Sequence, residues 1–73
     1  MAKLDVVVYK HAVTGNDMIQ VIVNGFCEME REANFSGYCI ISAFLDSLVE
    51  MFVVTHDQRE AKIRRLKKLL DIE

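Results

Sequence analysis

The chain has 73 residues, of which 52% are hydrophobic, and a formal net charge of −2. This length predicts a single small domain over residues 1–73, and a domain of that size buries only about 60% of its unfolded surface. The small negative charge argues against strong non-specific binding to nucleic acid. Because the apolar content exceeds what so small a core can bury, we predict a homo-oligomer, most simply a pair related by a two-fold axis.

The N-terminal third favours a β-hairpin. Residues Leu4 to Val13 are β-branched and aromatic, 14–17 are turn formers, and Met18 to Val23 are again β-branched. A four-residue loop would place Val8 opposite Val23 and gather apolar side chains on one face. That predicted face consists of Leu4, Val6, Val8, Ala12, Ile19, Val21 and Val23. A two-stranded hairpin is marginal alone, so we expect it to pack on helices.

A helix over residues 17–33 competes with this hairpin. Asp17 and Gln20 fit a capping box. Met18, Ile19, Ile22, Phe26, Met29 and Ala33 would then line one face. The Gly of Asn24-Gly25 in mid-helix would cost about 1 kcal/mol, and the β-branched residues before it also disfavour a helix. We therefore favour the hairpin.

Asn24-Gly25 is also a strong signal for a tight hairpin turn. A third strand from Phe26 to about Arg31 would follow it. Simple alternation would place Glu28 and Glu30 on the apolar face of the hairpin, which is unfavourable. A short helix over residues 26–33 is nearly as plausible. The sequence leaves this segment open.

The longest apolar stretch, Tyr38 to Val54, predicts a central helix with Asn34 or Ser36 as its N-cap. It is too short for a membrane span of about 20 residues. Its polar strip is narrow, so we expect the helix to be covered on most sides. The apolar arc comprises Ile40, Ile41, Phe44, Leu45, Leu48, Met51 and Phe52.

A last helix begins after Thr55, which forms a capping-box pattern with Gln58, and runs to about Ile72. Whether residues 54–55 form a turn or a kink is left open. The apolar seam of this last helix consists of Ile63, Leu66, Leu69 and Leu70. Residues 59–73 carry six bases against three acids, whereas residues 1–58 carry three bases against eight acids. The predicted contact surface on this basic helix is Arg64, Arg65, Lys67 and Lys68.

These elements predict an α+β fold, with an N-terminal antiparallel hairpin and an optional third strand packed on two C-terminal helices. The alternative is a mostly-α fold with one N-terminal strand and three helices.

The sequence contains no pattern that predicts catalysis. His11 and His56 lie outside any zinc-ligand spacing, and the glycines do not form a phosphate loop. We therefore predict no catalytic residues, no cofactor and no metal. The spacing of Cys27 and Cys39 forms no disulfide framework, and their apolar neighbours predict buried thiols. Without a secretory signal pattern, a cytoplasmic protein is expected.

We interpret the chain as a small homo-oligomeric regulatory protein, an adaptor or inhibitor of a larger protein partner, with no enzymatic activity. One alternative is a small-ligand or nucleotide binder in which Tyr9 or Tyr38 stacks on a base.

A second alternative is a DNA-binding regulator. If residues 17–33 are helical, the chain resembles the ribbon-helix-helix dimers, with Leu4 to Tyr9 as the ribbon and Ser36 to Phe52 as the second helix. The resemblance implies a DNA-reading ribbon, which in that family presents basic or polar side chains from alternate positions. Here those positions hold Lys3, Asp5, Val7 and Tyr9, or else Leu4, Val6 and Val8.

Overall fold

The computed structural model describes residues 2–72, which form a three-stranded antiparallel sheet with two helices on one face. The elements are β1 (Leu4–Lys10), β2 (Asp17–Val23), β3 (Phe26–Glu32), α1 (Phe35–Glu50) and α2 (His56–Leu70). The strands lie in the order β1-β2-β3. The predicted α+β class, the hairpin and the two C-terminal helices are confirmed, and the segment left open after Gly25 forms a third strand. The mostly-α alternative is wrong, because residues 17–23 and 26–32 are strands.

The hairpin faces are as predicted, although the register is shifted by four residues. Val8 pairs with Ile19 and not with Val23. The shift is even, and side chains alternate with a period of two, so the same residues still face the helices. The loop spans residues 11–16 and is closed by a bond from the His11 amide to the Asn16 carbonyl at 2.8 Å. Ala12 therefore lies exposed in the loop, and its predicted place in the core is wrong.

A β-bulge in the third strand keeps Glu28 and Glu30 off the apolar face of the sheet. Asn24 and Gly25 have φ of 52° and 85°, as the tight turn requires, and β3 starts at Phe26 opposite Val23. The register then shifts, so that Met29 and not Glu28 faces Val21. Because one extra residue reverses every later side chain, the bulge turns Glu30 to the open face of the sheet.

The core lies between the sheet and the helices. From the sheet it takes the predicted apolar face without Ala12, with Val8 partly buried, and from each helix it takes one stripe of side chains. Its fully or largely buried members are Leu4, Val6, Ile19, Val21, Val23, Ile41, Leu45, Leu48, Val54, Ile63 and Leu66. The two helices thus bury one side each and leave the rest to solvent.

Helix α1 is shorter at its C-terminus than predicted. Asn34 is its N-cap and accepts a hydrogen bond from the Gly37 amide at 2.8 Å. The helix closes with Phe52 at φ 60°, while the Val53 amide donates to the Leu48 carbonyl at 2.9 Å. This pattern is a Schellman motif, which normally carries glycine at the left-handed position. Residues 51–55 therefore form a turn between separate helices, and the predicted extension to Val54 is wrong.

The capping box of α2 is confirmed. The Gln58 amide donates to the Thr55 hydroxyl at 3.1 Å, and the Thr55 amide donates to the Gln58 side-chain oxygen at 2.8 Å. The Gln58 side chain also donates to the Ala2 carbonyl at 2.9 Å. The start of α2 is thus tied to Ala2, two residues before the start of β1.

Candidate contact surfaces

The basic residues of α2 fall into two groups. Arg59 and Lys62 are engaged within the chain: Arg59 Nε lies 2.6 Å from Asp46 Oδ1, and Lys62 Nζ lies 3.7 Å from Asp5 Oδ1. None of the four predicted contact residues forms an ion pair within residues 2–72. Three of them, Arg64, Arg65 and Lys68, are exposed and are called the basic face below; the fourth, Lys67, is half-buried on its flank.

The helix turns this basic face outward because Ile63 and Leu66 are buried on the opposite side. Leu69, predicted to belong to the apolar seam, lies among the basic side chains with 52% of its surface exposed. The apolar seam is therefore narrower than predicted, and the basic face is broad.

A second surface runs along α1 and is uncharged. Ile40, Phe44, Ser47 and Met51, called the α1 seam below, follow one another at intervals of four, three and four residues. Ile40 is 44% and Met51 is 60% exposed, so the prediction that this helix is covered on most sides is wrong for the single chain. At 100° per residue, the α1 seam lies about 150° round the helix from Ser42 and Asp46, which contact α2.

Two exposed phenylalanines lie at the end of the molecule where α1 finishes. The Ala2 amide donates to the Val53 carbonyl at 3.1 Å, and the Asn24 amide donates to the Lys3 carbonyl at 2.9 Å. These bonds bring the end of α1 to the same end of the sheet as the β2–β3 turn. Phe26 after that turn is 73% exposed, and Phe52 after α1 is 84% exposed. The α1 seam together with Phe26 and Phe52 is called the apolar patch below.

The open face of the sheet carries a closed polar cluster. The Tyr9 hydroxyl donates to Glu30 Oε2, and the Gln20 amide donates to the same oxygen at 2.9 Å. Its hydrogen bond to Glu30 raises the pKa of Tyr9, and the same bond, helped by Gln20, lowers the pKa of Glu30. The His11 ring lies 6.5 Å from the Tyr9 ring. These polar groups are satisfied by one another.

The other residues considered from the sequence are scattered. Cys27 and Cys39 are free and exposed, so the prediction of buried thiols is wrong. Tyr38 is half-buried and stacks on Phe35 with ring centroids 6.3 Å apart. His56 is exposed, with Nε2 3.6 Å from Glu60 Oε1.

Within residues 2–72, no group of three or more His, Cys, Asp or Glu side chains is arranged to hold a metal ion. No helix in this part of the chain has the length and apolar character needed to cross a bilayer.

Comparisons of the chain with protein families, with curated proteins and with solved structures find no match.

Proposed function

We propose that the chain is a small protein-interaction or regulatory protein that acts as a homo-oligomer and binds a larger protein partner, without catalytic activity of its own. The observation that carries the proposal is the number of large apolar side chains left in solvent. They are Val13, Phe26, Phe35, Ile40, Met51, Phe52 and Leu69. Single exposed apolar residues are ordinary, but a contiguous patch rimmed by polar residues is typical of a protein-binding surface.

The apolar patch lies in the size range of surface patches that are often functional. Taking about 200 Å² for each full side chain, its four most exposed members present on the order of 500 Å². The largest apolar patch on a typical monomer measures about 300–600 Å² and is often functional. Burial against another chain would remove this area from water, which favours association.

The mass of the protein in solution tests the proposal. Size-exclusion chromatography with light scattering at low micromolar concentration should give at least twice the chain mass of 8.4 kDa. A single species of 8.4 kDa across the concentration range would overturn the homo-oligomer and, with it, the main support for an interaction protein.

The basic face supports a second contact, with an acidic surface of the larger partner. Because Arg64, Arg65 and Lys68 make no ion pair within residues 2–72, their charges are available to a partner. Opposite charges across an interface mainly raise the association rate and select the partner. We expect such binding to weaken as salt screens these exposed charges.

DNA is the other polyanion that fits the basic face. The ribbon-helix-helix comparison loses its premise because residues 17–33 are not helical, so a DNA-binding role would rest on α2 alone. Phosphate contacts are strongest at low salt, so duplex DNA at about 50 mM salt is the decisive condition. Uniform weakening by the double variant Arg64→Ala/Lys68→Ala would favour DNA, and no binding under these conditions would exclude it.

A further inference from the structure

Resting on the proposed homo-oligomer, we propose that a second copy of this chain covers the α1 seam, and that the two α1 helices pack antiparallel about a two-fold axis. A partner that covers the α1 seam must be complementary to it over its whole length. Charge, spacing and area each favour the α1 seam of a second copy as that partner.

Charge identifies the surface that can meet itself. A two-fold axis brings a patch against its own copy, so a charged patch meets like charge there. The basic face of α2 would repel itself in this arrangement. The α1 seam carries no ionisable side chain, and it lies on the side of α1 away from α2. It can therefore approach an identical surface without placing like charges opposite one another.

The spacing of the seam fits a helix partner. Intervals of four, three and four residues are those of the contact positions in a coiled coil, where each side chain enters a hole on the facing helix. In an antiparallel pair centred on this seam, Ile40 of one copy faces Met51 of the other. Phe44 of one copy likewise faces Ser47 of the other, so that a large side chain always meets a smaller or flexible one.

The apolar patch as a whole supplies a large share of the area that a stable interface needs. A standard interface covers about 800 Å² per partner, roughly a sixth of the 4750 Å² that this chain exposes. The apolar patch supplies more than half of that area. Phe52 supports this use, because it combines 84% exposure with a positive φ that a bulky residue adopts at a cost. A function in binding accounts for keeping an aromatic residue where glycine is usual.

The free edge of β3 is a poorer place for a second copy. An antiparallel pair of β3 strands would bring Glu28, Glu30 and Glu32 close to the same acids of the other strand. Like charges on facing strands destabilise the pair, and edge charges and bulges are devices that block edge pairing.

Two matched lysine substitutions test the location. Ile40 and Leu69 are similarly exposed, at 44% and 52%, but only Ile40 belongs to the α1 seam. Ile40→Lys should raise the dimer dissociation constant about 100-fold, since each dimer contains the substitution twice at roughly tenfold each. Leu69→Lys should leave the constant unchanged. Circular dichroism shows whether each variant remains folded.

The outcomes separate this inference from the proposed function. A wild-type oligomer that Ile40→Lys leaves intact would overturn the α1 seam as the interface while the homo-oligomer survives. A monomeric wild-type protein would overturn both and leave the seam to a helix of another protein.

Cysteine cross-linking tests the antiparallel arrangement directly. Cys27→Ser/Cys39→Ser removes both native thiols, which are exposed, and Ile40→Cys and Met51→Cys are then made in separate chains. Under mild oxidation, a mixture of the two variants should give a disulfide-linked dimer, and each variant alone should not. Cross-linking of either variant alone, or none in the mixture, would overturn the arrangement.

Discussion

A side chain added at Gly37, in the first turn of α1, should destabilise the protein, although helix propensity alone favours alanine there by about 1 kcal/mol. A Cβ at this position would lie 1.9 Å from the Glu32 carbonyl oxygen, some 1.5 Å inside ordinary contact at 3.4 Å. That oxygen is backbone at the end of β3, so relief requires α1 to move away from the sheet. Overpacking costs about 1–3 kcal/mol. Displacement would also weaken the Asn34 cap, which is worth about 1 kcal/mol.

The net effect of Gly37→Ala should be a loss of about 2 kcal/mol of unfolding free energy, or roughly 10 °C in melting temperature for a domain of this size. Urea denaturation followed by circular dichroism measures it, at one fixed protein concentration because association also stabilises. Ser36→Ala, exposed in the same turn, is the control and should be neutral or slightly stabilising. A Gly37→Ala protein as stable as the wild type would refute the close packing of α1 on β3.

Three further substitutions test local contacts. Asn34→Ala and Thr55→Ala each remove an N-cap and should each lower the unfolding free energy by about 1 kcal/mol in the same urea assay. Glu30→Gln should bring the pKa of Tyr9 down towards its ordinary value of 10.0 in an absorbance titration, whereas Glu28→Gln should not. Because the pKa of Glu30 is lowered by folding, its contribution to stability is present above its ordinary pKa of 4.5 and is lost as pH falls through the lowered value. Glu30→Gln should remove that part of the acid dependence.

In the sheet, the faces of the strands are predicted correctly although the register between them is not. The observed β1–β2 register differs from the predicted one by four residues, yet Val8 still faces the helices because an even shift preserves every face. The loop that sets the register is held partly by a side chain, since His11 Nδ1 accepts from the amides of Val13 and Thr14. The alternation of apolar residues does not predict such a contact, so it does not predict the length of the loop.

The sequence of the third strand contains a signal for a β-bulge that a search for simple alternation does not find. Phe26 pairs with Val23 and Met29 pairs with Val21, and the two valines are buried on the helix side of the sheet. Phe26 and Met29 therefore share that face although they are three residues apart. An odd separation can share one face only if an extra residue is inserted between them. The spacing of the apolar residues Phe26 and Met29 therefore predicts the bulge at Glu28.

The sequence predicts the apolar arc of α1, but it does not specify which chain covers that arc. Ile41, Leu45 and Leu48 are buried by the sheet, whereas Ile40 and Met51 are not. The buried and the exposed members of the arc are alike in residue type, so composition does not separate them. Only the position of α2, fixed by Arg59 against Ser42 and Asp46, shows that one side of the arc has no cover within the chain.

Pairing through the α1 seam would have a consequence for the basic face. Since the seam and α2 lie on opposite sides of α1, two paired seams would leave both basic faces on the outside of the dimer. Two sites on one particle bind a repeated acidic surface more tightly than one site does, because the second contact forms at a high effective concentration. An immobilised polyglutamate surface at about 50 mM salt should therefore retain the wild-type dimer longer than Ile40→Lys. The variant carries one more positive charge, so charge alone predicts the opposite order. Equal or longer retention of Ile40→Lys would show that the two basic faces do not act together.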